Sequence, residues 1–167
     1  MRILGHIYAS EGNTLRARGI VEEALVIARQ IGPGFQISFL LVLLGDIATR
    51  DHDWERAADV YRQALQRATT AAAQASMALA VRHSAALLGA RGEHRRALRL
   101  LGALARRPDL HFDRDLPREV SVLVVDEQRI MDAARAALGD RAYADAWAQG
   151  EAMTLAQVSA EILEETR

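Results

Sequence analysis

The chain has 167 residues, enough for one domain with a real core and too few for two ordinary ones. Half of it is hydrophobic and only 5% aromatic, and the net charge of −1 with a pI near 6.5 gives no general basic field for nucleic acid or an anionic membrane. The absence of cysteine excludes disulfides, thiolate nucleophiles and cysteine zinc sites, and it is compatible with a reducing cytoplasm, the expected location.

Much of the hydrophobic content is alanine, and alanine, leucine, arginine and glutamate are all good helix formers, so an all-α protein is expected. The opening apolar stretch is broken by His6, Ser10 and Glu11 and is too short for a secretory leader. A first break falls near Gly12 and a second at Gly32-Pro33, where glycines end one helix and the proline opens the next. The most apolar run, Phe35 to Ala48, carries Gln36 and Asp46 and falls short of the ~20 residues a bilayer crossing needs, so it reads as a buried helix. Beyond a break at His52, Val60, Tyr61, Ala64, Leu65 and Ala68 recur at helical spacing. Further breaks are predicted at Thr69 to Ala73, Gly92, Pro108 to Pro117, Gly139 and Met153. After the last of these, Thr154 and Gln157 have the spacing of a capping box for a final helix, which should lay Leu155, Val158 and Ile162 over Tyr143 and Trp147. About eight helices are expected and no strand, because no stretch alternates with period two.

The chain also repeats itself. Gly5, Gly45 and Ala85 stand 40 residues apart, as do Ala17, Ala57 and Ala97, and Val21, Tyr61 and Leu101. Small residues therefore recur where two helices approach closely, and larger ones where the second helix of a pair meets its neighbour. One helix pair cannot bury its apolar face alone, so such units stack into a solenoid.

Leu4-Gly5, Tyr8, Gly12-Asn13, Ala17, Val21 and Ala24 stand at the spacings of the tetratricopeptide repeat, which this unit resembles. The second unit is similar through Leu44-Gly45, Asp53-Trp54, Ala57, Tyr61 and Ala64 but has Ala48 and His52 at two of the motif positions; the third keeps Gly92-Glu93 and Ala97 and lacks the Leu-Gly pair. A 40-residue step exceeds the usual ~34 of that repeat and implies longer helices. Long units of this kind, together with the Ala146-Trp147…Gly150 and Met153…Leu155 pattern, resemble the repeat region of bacterial LuxR-type and MalT-like ATP-dependent signalling regulators. The resemblance implies a right-handed solenoid of stacked antiparallel helix pairs, a single domain over 1–167 with units at 1–32, 33–72, 73–108 and 117–167.

Asp51-His52-Asp53 has the look of an acid/base or metal cluster, yet in the repeat register it occupies the turn between the two helices of a unit, alongside Gly12-Asn13 and Gly92-Glu93. Asn13, Asp53 and Glu93 are then helix caps, and no third or fourth ligand converges on His52. His83, on an apolar helix, reads as a packed histidine. The basic amphipathic segment Arg95 to Arg107 suits an acidic partner, although its apolar residues are already required by the stack. The chain carries no phosphate loop, nucleophile elbow or paired-histidine zinc motif, so neither catalysis nor a cofactor nor a metal is expected.

In the tetratricopeptide register the first helices line the concave side, which places Arg2, His6, Phe39, Asp46, Arg50 and Arg82 as candidates for a partner groove. Arginine–carboxylate pairing there suits an acidic or C-terminal peptide. The expected role is a non-catalytic protein-interaction or effector-sensing module of a bacterial signalling or transcription regulator. The alternative is a metabolite sensor with its ligand on the concave face. The partner is a protein or peptide segment, including other domains of a longer regulator, with no direct nucleic acid and no membrane contact. The first unit's apolar residues, Ile3, Leu4, Ile7, Val21, Leu25 and Ile27, have nothing before them in the sequence and suggest upstream repeats or a homo-oligomer through the N-terminal helix pair.

Overall fold

The computed structural model describes residues 13–31, 34–107, 110 and 125–164, and among these every regular element is helical. The helices are α1 (Thr14–Ile31), α2 (Gly34–Arg50), α3 (Trp54–Thr70), α4 (Gln74–Ala90), α5 (His94–Ala105), α6 (Glu127–Glu151) and α7 (Leu155–Glu164). The expected breaks at Gly12, Gly32-Pro33 and most of Pro108 to Pro117 lie outside the described residues, as do Arg2 and His6.

The helices α2, α3 and α4 are each 17 residues long, and three-residue turns join them to one another and α4 to α5. Those turns share one hydrogen-bond pattern. At the first, Asp51, His52 and Asp53 donate their amides to the carbonyls of Ile47, Thr49 and Ala48; at the second, Ala71, Ala72 and Ala73 donate to Arg67, Thr69 and Ala68; at the third, Arg91, Gly92 and Glu93 donate to Leu87, Gly89 and Leu88. The central residue of each is left-handed, with φ of 59° at His52, 51° at Ala72 and 77° at Gly92. This closes the last carbonyls of each helix in the manner of a left-handed C-terminal cap and sends the chain back antiparallel. The chain thus reverses every 20 residues, and the 40-residue period of the sequence is two helices and two such turns.

Caps at the following helices are unequal. The side chains of Asn13 and Asp53 accept from the amides of Arg16 and Arg56, at 3.2 and 3.3 Å. Glu93 makes no such bond, contrary to the sequence expectation, because its carboxylate is taken by the guanidinium groups of Arg91 and Arg96. Trp54 packs partly buried against the core beside His52. The Asp51-His52-Asp53 cluster is a turn.

Burial explains the composition of the helices. Most of α2 from Ile37 to Ala48, and most of α4 from Ser76 to Leu88, is buried around the whole helix, as expected of elements covered on several sides. The outer helix α3 instead shows one apolar stripe of Ala57, Val60, Tyr61, Ala64, Leu65 and Ala68. On α1, Val21 and Leu25 turn into the core, while Leu15, Val26 and Ile27 are exposed.

The sixth element is two helical segments meeting at Gly139, whose φ of 75° and ψ of 164° are non-helical. The chain reverses there. Arg135 stands 4.5 Å from the centroid of the Tyr143 ring, whereas eight residues of straight helix span ~12 Å. Ala134 and Ala146, one on each segment, both join Leu98 of α5 in a small apolar cluster with Tyr143 and Trp147. A close crossing fixes α6 on α5: a Cβ at Gly102 would lie 2.6 Å from the Trp147 carbonyl oxygen, and one at Gly150 would lie 2.3 Å from that of Arg99.

Thr154 and Gln157 form the expected capping box: the Gln157 amide donates to Thr154 Oγ1 at 3.2 Å and the Thr154 amide to Gln157 Oε1 at 2.8 Å. The helix they start meets part of the expected surface. Leu155 and Val158 enter the main core, against which Ile162 and Trp147 also pack, and α7 lies against α3, α4 and α5, while Tyr143 belongs to the separate cluster on Leu98.

Candidate functional site

The groove residues predicted from the register fall into different settings. Phe39 is in the core at 3% exposure and does not line an open groove. Arg82 is likewise enclosed, at 4% exposure, with its Nε 2.6 Å from Glu127 Oε1 of α6. The pair ties α4 to α6, with the guanidinium buried and the Glu127 carboxylate a third exposed. Arg50 is exposed at the end of α2. Register alone did not separate these residues because α2 and α4 are covered on several sides by helices distant in sequence.

Asp46 does bring polar groups together. Its Oδ1 accepts the Tyr61 hydroxyl at 2.6 Å and lies 2.7 Å from His83 Nδ1, while the Thr49 hydroxyl stands 3.3 Å from the phenol oxygen. Tyr61 and His83 are buried and their rings are tilted at a 6.0 Å centroid distance. The phenol pKa is raised well above its ordinary value of 10, chiefly by burial and then by the Asp46 carboxylate. Tyr61 thus stays protonated and donates a hydrogen bond to Asp46. The trio clasps α2, α3 and α4 from within. Sequence reasoning read His83 as a packed histidine and missed its partner, because Asp46 had been assigned to the open groove.

A second place has the form of a binding site. The last helix, α7, packs against α3, α4 and α5, and a cleft of about 610 Å³ remains beside it. Ala58, Leu87, Leu88, Leu100 and Ile162 provide apolar lining. Four arginines surround it: Arg62 of α3, Arg91 at the end of α4, and Arg96 and Arg99 of α5, against Glu55 and Glu161. Arg62 pairs with Asp59 at 3.1 Å, Arg91 with Glu93 at 2.9 Å, Arg96 with the same Glu93, and Arg99 with Glu161. The basic segment from Arg95 was the one sequence signal for this cleft. Its site was not visible because one wall is α7, about 60 residues further on.

No group of metal-ligating residues occurs among the described residues, and none of their helices is long and apolar enough to cross a membrane. No protein-family model, curated protein or solved structure matches the chain.

Proposed function

We propose that the chain is a non-catalytic helical-repeat module, a right-handed tetratricopeptide-like solenoid that holds a protein segment within a bacterial signalling or transcription regulator. The observation that carries this reading is the turn repeated at 51–53, 71–73 and 91–93 with one hydrogen-bond pattern. Uniform helices on such turns form stacked pairs whose side chains are free to vary at the surface, which is how repeat proteins build binding faces. The regulator context rests on the resemblance of residues 137–163 to the closing segment of such domains. Its partners are a peptide or a neighbouring domain, with a second copy meeting the exposed Leu15, Val26 and Ile27 of α1.

The second reading, a metabolite sensor, is favoured by one feature: a cleft of about 610 Å³ falls in the roughly 300–1,000 Å³ range of small-molecule sites. A thermal-shift screen with a peptide library and a metabolite set separates the two. Stabilisation by peptides alone is the expected result. Stabilisation by a metabolite and by no peptide would overturn the interaction reading in favour of the sensor.

A further inference from the structure

The chain is held tightly on one side of residues 152–154 and lightly on the other. At Gly150 the backbone lies so close to α5 that a Cβ would stand 2.3 Å from the Arg99 carbonyl oxygen. Beyond the joint, α7 has only 10 residues. Its apolar anchors are the buried Leu155 and Val158, with Ile162 half-buried at the cleft.

The seat beneath α7 is poorly satisfied. Ser159 is 1% exposed, yet its Oγ has no hydrogen-bond partner. Arg99 reaches Glu161 through one terminal nitrogen and one carboxylate oxygen, which leaves the buried Arg99 Nε and Glu161 Oε2 without partners. Three of the five unpartnered buried side-chain polar atoms among the described residues therefore lie at this seat. A buried hydroxyl without a partner loses its hydration and gains nothing in exchange. The ion pair, 28% and 31% exposed, is screened by solvent and adds little. The cleft of about 610 Å³ borders the Ile162 flank, so packing is incomplete there as well.

A helix this short is marginal in water by itself, so α7 keeps its hydrogen bonds only while it is seated. We infer that α7 is a latch: it lifts from α3, α4 and α5 as one unit about residues 152–154 while the rest of the stack stays folded. Opening uncovers apolar surface on three helices at once and joins it to the cleft, so the latch governs when that face is available. The inference concerns the motion of α7 and stands whichever partner the module takes.

Native-state hydrogen exchange on the whole chain, read by NMR at several low urea concentrations, tests it. Amides 158–164 should share one opening, at least about tenfold less protected than the buried amides of α3 and α4, with rates that rise together as urea is added. Simple fraying gives another pattern, graded from 164 back to 158 and insensitive to urea, and would overturn the latch. Protection equal to that of α3 and α4 would overturn it too. Ser159→Ala removes the unpartnered hydroxyl and should slow exchange over 158–164 by at least about fivefold. Alanine is also the better helix former, and Ala160→Ser at the exposed neighbouring position measures that contribution alone. It should speed exchange by only about two- to threefold. Equal and opposite effects at the two positions would leave the seat no part in the opening and sink the inference.

Discussion

The ring of Tyr61 lies directly over Gly45: a Cβ built at that glycine would stand 2.2 Å from Tyr61 Cε1. This contact joins α2 to α3 and lets the phenol reach Asp46. Gly45→Ala gains about 1 kcal/mol of helix propensity. Displacing a buried ring costs about 1–3 kcal/mol, and the disturbed phenol hydrogen bond costs about 1 kcal/mol more. Urea unfolding should therefore show a net loss of ~1–3 kcal/mol. Pairing Gly45→Ala with Tyr61→Leu should restore part of it, and strict additivity of the two would contradict the contact.

Alkaline stability follows from the same phenol. Its folded pKa is raised, so above pH 10 the unfolded chain loses a proton that the native state retains. Native stability is full below the unfolded value near 10 and falls as pH rises beyond it, by about 1.4 kcal/mol per pH unit. All 21 basic residues are arginine and cysteine is absent, so neither lysine nor thiol ionisation overlaps this window. Tyr61→Phe should flatten the alkaline limb while lowering stability at neutral pH by about 1 kcal/mol. An unchanged alkaline slope in that variant would refute the assignment.

The crossing of α5 and α6 is expected to be the least tolerant position in the chain. At Gly150 the obstacle to a Cβ is the backbone carbonyl of Arg99, which cannot rotate away as a side chain can. Gly150→Ala should cost ~3 kcal/mol or more and loosen the cluster of Leu98, Ala134 and Ala146. Gly19→Ala, where nothing lies within 4 Å, should be neutral or gain up to about 1 kcal/mol. Equal effects at the two sites, measured by chemical denaturation, would rule out the close crossing.

The left-handed turns supply opposite predictions for one pair of residue types. At Ala72, with φ of 51° and an exposed side chain, Ala72→Gly relieves a strained backbone and should stabilise by roughly 0.5–1 kcal/mol. At Gly92, with φ of 77°, Gly92→Ala should destabilise by roughly 1 kcal/mol. Thermal melts of the two variants should shift in opposite directions, and a shared sign would contradict the common turn geometry.

Thr154→Ala removes one side of the capping box at the start of α7 and should cost about 1 kcal/mol. Because α7 walls the cleft, amide exchange should rise over 155–164. Unchanged protection across that segment would show that the cap does not hold the helix.

The sequence by itself determined the helical class, the described breaks at His52, Thr69 to Ala73, Gly92, Gly139 and Met153, and the final capping box. These are local properties: apolar spacing, glycine placement and the Thr154–Gln157 pair act within a few residues of chain. The 40-residue register also made Gly45 and Tyr61 legible as repeated positions, a small residue and a large one at matching steps. Only the tertiary structure decided which polar residues met. Asp46 turned inward to Tyr61 and His83, Arg82 closed on Glu127, and Phe39 entered the core, each because a later helix covered a face that register left open. The cleft was decided last, by the seating of α7 against α3, α4 and α5. Packing across such distances depends on how several helices fill one space together, and no single stretch of sequence encodes it.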